Sequence, residues 1–131
     1  MPAPLVAITS KPLDAIALAA AVSEDGAGLG AVTTFVGLVR DHNVGRRVLF
    51  LEYEAYDAMA QHQFHKILDQ IESRWPIQSI RLVHRIGRVC AGQPSIVVEV
   101  TSTHRAEAFE ACQFLIEEMK QRVPIWKQPL L

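Results

Sequence analysis

Two lysines near the C-terminus, Lys120 and Lys127, lie seven residues apart in Lys120-Gln121-Arg122-Val123-Pro124-Ile125-Trp126-Lys127. Lys120 follows Phe109 and Ile116 around a helical wheel, so it sits beside the buried stripe of its helix. An isolated lysine there ordinarily lays its stem over the core edge near the helix C-terminus. Lys127 alters that reading, because Pro124 ends the helix and Ile125 and Trp126 pin the next segment against the body. Two ammonium groups held near each other and near arginines lower each other's pKa by repulsion, a route to a neutral amine that acts as nucleophile or proton shuttle.

A second group could bind the substrate of such an amine. Thr101-Ser102-Thr103-His104-Arg105 places hydroxyls and two potential cations where a strand turns into a helix. Free N–H groups at a first helical turn favour phosphate or carboxylate, and Arg105 adds a bidentate grip. An ordinary capped helix start with His104 and Arg105 in water fits the same residues equally well. Arg40 closes the strand Phe35-Val36-Gly37-Leu38-Val39-Arg40, in which Gly37 lets another chain or a ligand approach the backbone; its plain role is an edge-strand charge.

Other candidates carry less. His62 and His65 are three apart on a helix with no third ligand near them, which argues against a metal site, and His42 and His84 are expected at the surface or at strand ends. Cys112 falls in an apolar stripe and reads as a buried structural thiol. Gly26-x-Gly28-x-Gly30 has the wrong spacing for a dinucleotide loop and precedes a strand.

These residues need one domain to position them. A chain of 131 residues can enclose one core, and half of it is hydrophobic, so neither disulfides nor a metal are needed to hold the fold. The formal charge of −1, with both signs interspersed, argues against a nucleic-acid binder. Cys90 and Cys112 lack a CxxC spacing, and neither a secretory signal nor a bilayer-length apolar run is apparent, which makes a cytoplasmic protein the expectation.

The chain pattern predicts a strand at Leu5 to Thr9, a helix from Pro12 to about Val22 and a flexible break from Glu24 to Gly30. Strands at Ala31 to Val39 and Val48 to Glu54 look like a hairpin around the polar turn Asp41 to Gly45. Ala60, Phe64, Ile67, Leu68, Ile71 and Trp75 give a helix from Asp57 to Trp75, stopped by Pro76. Strands at Ile77 to Ile86 and Ser95 to Thr101 flank a loop containing Gly87, Gly92 and Pro94, and a last helix starts near His104 with Thr103 as N-cap and ends at Pro124. The expected class is α+β in a single domain, residues 1–131, with a mostly antiparallel or mixed sheet.

Five blocks also coincide with a known family. Gly30 to Asn43, Leu51 to Tyr56, His84 to Gly87, Ser102 to Phe109 and Lys120 to Lys127 together resemble the catalytic (large) subunit of molybdopterin synthase, in the right order and over nearly the whole chain. The pairing of His104-Arg105-x-x-Ala108-Phe109 with Lys120-x-x-x-Pro124-x-Trp126-Lys127 carries the specificity of the match. The resemblance implies an α/β hammerhead-type fold with an additional antiparallel sheet. It implies a homodimer, and a heterotetramer with two small ubiquitin-like subunits whose C-terminal Gly-Gly carries a thiocarboxylate. Sulfur then passes to cyclic pyranopterin monophosphate to build the molybdopterin dithiolene, with no cofactor on this chain. By the same pattern Lys120 and Lys127 are catalytic, while Arg40, His104 and Arg105 bind substrate, the last two across the dimer interface. Family members commonly continue past the second lysine, where this chain has Gln128-Pro129-Leu130-Leu131. A non-catalytic adaptor that binds a ubiquitin-like sulfur carrier is therefore the alternative expectation.

Overall fold

Alternation along one central strand organises the molecule. In the computed structural model, which describes residues 5–14, 29–43 and 45–130, that strand is β8 (Pro94–Ser102), paired antiparallel with β6 (Ile77–Arg85) on one side and β2 (Ala31–Leu38) on the other. Strand β1 (Leu5–Thr9) adds parallel to β6, which gives a mixed sheet of order β1-β6-β8-β2. Because side chains alternate across a strand, Ile96, Val98 and Val100 of β8 face the same way as Ile80 and Leu82 of β6 and form one apolar surface.

Two helices of 18 residues cover that surface: α1 (Asp57–Arg74) and α2 (Arg105–Arg122). Helix α1 buries Ala60, Phe64, Ile67, Leu68 and Ile71, the stripe expected from the sequence, and α2 buries Ala108, Ala111, Cys112 and Leu115. Each large apolar side chain enclosed here contributes about 1.5–3 kcal/mol relative to exposure, so this layer holds most of the fold's stabilisation. Polar contacts fix how the helices meet. The Trp75 indole N–H donates to Glu110 Oε2 at 2.9 Å, Arg122 Nη1 donates to Gln70 Oε1 at 2.5 Å, and the Arg74 guanidinium lies 4.6 Å from the Trp75 ring centre and 4.8 Å from that of Phe114.

A second sheet carries the end of the chain. Strand β5 (Phe50–Ala55) lies between β7 (Gly87–Cys90) and β9 (Ile125–Leu130), antiparallel to both. A two-stranded ribbon, β3 (His42–Asn43) with β4 (Arg46–Arg47), turns at Gly45, whose φ of 76° suits glycine. The architecture is thus α+β, as expected.

The structure corrects several local expectations. The anticipated hairpin between Ala31–Val39 and Val48–Glu54 does not form: β2 pairs with β8, β5 belongs to the other sheet, and only the short ribbon β3–β4 closes the turn. The loop expected around Gly87 contains β7, with left-handed turns at Gly87 (φ 84°) and Gly92 (φ 85°) at its two ends. Thr103 is not the N-cap of α2. His104 holds that position without a side-chain cap, its N–H donating to Ser102 Oγ at 3.4 Å. Thr103 instead packs its carbonyl against Gly30, where a Cβ would lie 2.0 Å from that oxygen, so only glycine fits at the entrance to β2. Close approach at Gly37 is made by this chain's own Ile96, whose Cγ2 would lie 2.7 Å from an added Cβ. The helix expected from Pro12 to about Val22, and most of the break from Glu24 to Gly30, lie outside the described residues.

One carboxylate sits awkwardly in the central strand. Glu99 is 2% exposed, in register with Arg81 at 3.7 Å, and neither of its oxygens has a hydrogen-bond partner among the described residues. Burial raises its pKa above the ordinary carboxyl value, and the nearby Arg81 charge opposes that shift. A folded-state pKa above the unfolded one means that the native state binds more protons in the intervening range, so Glu99 withdraws stability as pH rises through it. The stability of Glu99→Gln relative to the parent chain is expected to increase as pH is raised from 4 to 8, read from urea midpoints at each pH.

Candidate active site

The C-terminal turn of α2 places the first lysine. Ile116 and Met119 turn inward and pack on the core, Val123 caps the helix with its N–H on the Met119 carbonyl at 3.0 Å, and Lys120, next on the wheel, remains exposed. Pro124 then turns the chain, with the Ile125 N–H on the Val123 carbonyl at 2.8 Å, and β9 begins immediately. Lys127 is therefore fixed by strand register, directly opposite Tyr53 of β5. The backbone ladder with β5 restrains this segment, and Ile125 packs against the core beside it.

Arg40 arrives from the end of β2. Val39, 3% exposed, donates its N–H to the Gln93 carbonyl at 3.1 Å and accepts from the Gly92 N–H at 2.8 Å. This pair of bonds fixes the backbone one residue before the guanidinium.

Arg40, Lys120 and Lys127 come together along one open cavity of about 750 Å³, with Gly37, Ile96, Ile116, Met119 and Val123 among its apolar walls. No aspartate or glutamate lines it among the described residues. Three donors that cannot accept a hydrogen bond thus surround a space without a local counter-charge, an arrangement suited to a compact anion.

His104 and Arg105 are elsewhere. They occupy the opposite end of α2, exposed, about 22 Å along the helix axis from Lys120 at 1.5 Å per residue. One chain therefore unites three of the five residues singled out in the sequence, and the other two do not line its cavity.

The structure also adds residues that sequence reasoning missed. His84, expected at the surface or at a strand end, lies at the end of β6 but is only 5% exposed and lines the cavity with Tyr53; their rings meet edge to face, centres 5.2 Å apart at 69°. His84 Nδ1 lies 2.7 Å from the Arg85 carbonyl, which can only accept, so Nδ1 carries the hydrogen. Burial pushes the His84 pKa below its usual value and keeps the ring neutral near pH 7. The available signal was alternation, since Ile80, Leu82 and His84 share one face of β6.

Cys112 is buried, and desolvation lifts its thiol pKa to about 11, whereas Cys90 is exposed. Among the described residues no group of three or more His, Cys, Asp or Glu side chains could hold a metal ion. His62 and His65 are both exposed on α1.

Comparison with known proteins gives the family. The family model described as MoaE protein matches residues 8–122. The chain is 44% identical over 105 residues to the molybdopterin synthase catalytic subunit of Vibrio cholerae, covering 80% of this chain and 70% of that protein. It is 41% identical over 123 residues to the subunit of the same name from Pyrococcus abyssi, covering 94% and 83%. The crystal structure of molybdopterin synthase from Staphylococcus aureus superposes with a TM-score of 0.84 at 34% identity, covering 94% of this chain and 88% of that one. A complex of subunits 1 and 2 of molybdopterin-converting factor from Helicobacter pylori gives 0.82 at 27% identity, covering 96% and 84%. The chain belongs to the MoaE family.

The difference between the two thiols yields a direct expectation. Under native conditions near pH 8 a disulfide reagent should titrate Cys90 quickly and Cys112 at least about a hundredfold more slowly, because the thiolate is the reactive form and Cys112 is both buried and about 11 in pKa. Equal rates would place Cys112 outside the core.

Proposed function

We propose that this chain is the catalytic subunit of a molybdopterin synthase. In this reading it transfers sulfur from the thiocarboxylated C-terminus of a small ubiquitin-like subunit to cyclic pyranopterin monophosphate, forming the molybdopterin dithiolene. Family membership supports the reaction, and the observation that carries it to particular side chains is the convergence of Arg40, Lys120 and Lys127 on one cavity without an acidic lining.

The chemistry asks for such a cavity. A thiocarboxylate and a cyclic phosphate are both anions, and bringing them together in water is opposed by their charges. Fixed cations remove that opposition and stabilise charge that develops as the carbon–sulfur bond forms. The donor sulfur arrives on the small subunit, so this chain needs no reactive thiol, which agrees with a buried Cys112 and an exposed Cys90 that is not among the cavity's lining residues. Each sulfur displaces an oxygen from a side-chain carbon of the pterin, the oxygen leaving as water or staying on the opened phosphate, and water then cleaves the acyl–sulfur bond to return the small subunit's C-terminus as a carboxylate. Lys120 and Lys127 are the groups placed to move protons during these steps, and Arg40 holds the anion.

The assembly is a homodimer carrying one small subunit on each copy, and the chain works in the cytoplasm. The Helicobacter pylori complex supports the pairing of two different subunits. Among the described residues no helix is long and apolar enough to cross a membrane. His104 and Arg105, too far from Lys120 along α2 to meet its cavity, serve the cavity of the second copy.

A non-catalytic adaptor would bind the same small subunit without turnover. The two readings separate in a reconstituted assay with thiocarboxylated small subunit and cyclic pyranopterin monophosphate. Lys120→Ala is expected to lower the rate of dithiolene formation at least about a hundredfold, within the range for lost general acid–base catalysis, with small-subunit affinity held within threefold. A parent chain that binds the small subunit but forms no product would instead establish the adaptor.

A further inference from the structure

The cationic residues explain how the cavity holds an anion but leave one lining side chain without a task. Arg40, Lys120 and Lys127 offer donors only. The Ser95 hydroxyl donates to the Gly37 carbonyl at 3.3 Å. His84 differs from all of these. Its Nδ1–H is committed to the Arg85 carbonyl, which makes Nε2 the accepting nitrogen, and Nε2 has no protein partner among the described residues. His84 lines the open cavity, so this acceptor is available to a ligand that enters it.

We propose that His84 is a substrate-binding residue of this cavity, its Nε2 accepting a hydrogen bond from a ring N–H of a planar heterocycle whose anionic group is held by Arg40, Lys120 and Lys127. The inference rests on the proposed function for the identity of that heterocycle, the pterin of cyclic pyranopterin monophosphate.

Three observations support it. The His84 ring is restrained on two sides, by the Arg85 carbonyl at 2.7 Å and by the Tyr53 ring at 5.2 Å, so the acceptor is preorganised. Tyr53 is the cross-strand partner of Lys127, so the acceptor and a cation flank one aromatic ring that also lines the cavity and offers a flat surface beside them. The neutral state of His84 matters as well, since an imidazolium would present a donor to the N–H and add a further cation to the cluster. A buried polar group that recognises a ligand N–H discriminates strongly against ligands that lack one.

The test uses the assembled complex with unthiolated small subunit and measures affinity for two probes, cyclic pyranopterin monophosphate and inorganic phosphate. His84→Phe keeps a ring of similar size but no acceptor, and is expected to weaken the pterin at least tenfold while phosphate stays within twofold. His84→Gln carries an amide oxygen near the place of Nε2 and should recover the pterin affinity to within threefold. His84→Asn puts its amide nitrogen near the place of Nδ1 but is too short to put an acceptor at the place of Nε2, and should behave like His84→Phe, which preserves the comparison if the phenylalanine variant does not fold. Pterin affinity unchanged in both variants that lack an acceptor at the place of Nε2 would overturn the proposal. So would a parallel loss of phosphate binding, which would mark His84 as structural, or a loss confined to small-subunit affinity, which would place the N–H on the tail. Turnover by the parent complex is read in parallel: its absence overturns the functional reading itself, whereas normal turnover with an indifferent His84 overturns only this assignment.

Discussion

Like charges do not gather unless something else holds them, and three cations around one cavity are the constraint on which the rest of this structure depends. The restraint comes from three separate elements. Arg40 is fixed by the hydrogen bonds of Val39, Lys120 by the inward packing of Ile116 and Met119, and Lys127 by the β5–β9 register. None of these depends on the charged group itself, so the core meets the repulsion and the cations remain available to a ligand. Exposure of all three heads tempers the cost, because water screens surface charges effectively.

The turn at Pro124 is where packing becomes geometry for chemistry. Helix α2 belongs to the main layer, and β9 belongs to the second sheet, so the residues from Met119 to Ile125 join the two parts of the fold. Tyr53 and His84 meet at the same junction, one from each sheet. A cavity bounded by two sheets and a helix end can be wide enough for a bicyclic ligand while its walls remain strands and helices. Sites built on such elements hold their geometry better than sites on loops.

How much of this was legible in the sequence follows from the range of the interactions involved. The helices were, because the stripe from Ala60 to Ile71 is a local pattern with a period that only a helix satisfies. So was the placement of Lys120 beside the core, which rests on the same arithmetic. Strand partnership was not. Ala31–Val39 and Val48–Glu54 looked like a hairpin because they are neighbours in sequence, yet β8 offers β2 a longer apolar partner some sixty residues later. β7 and β9 were missed because short edge strands containing Gly87 or Pro129 resemble loops until their partner β5 is in view. His84 was expected at the surface or at a strand end and does lie at the end of β6, but its burial in the cavity wall shows only when the alternation of that strand is followed to its last inward residue. The assignment of Arg40 with the two lysines came from resemblance, and the cavity places these residues together without itself fixing their roles.

The account stands or falls on whether Lys120 and Lys127 respond to one ligand. The sequence holds four lysines, Lys11, Lys66, Lys120 and Lys127, so side-chain NMR of lysine-labelled protein gives a readable set with two internal controls. Titration of the assembled complex with cyclic pyranopterin monophosphate is predicted to move the Lys120 and Lys127 signals together along one saturation curve while Lys11 and Lys66 stay fixed. Signals of Lys120 and Lys127 that remain still, or that move with different midpoints, would contradict a shared anion cavity.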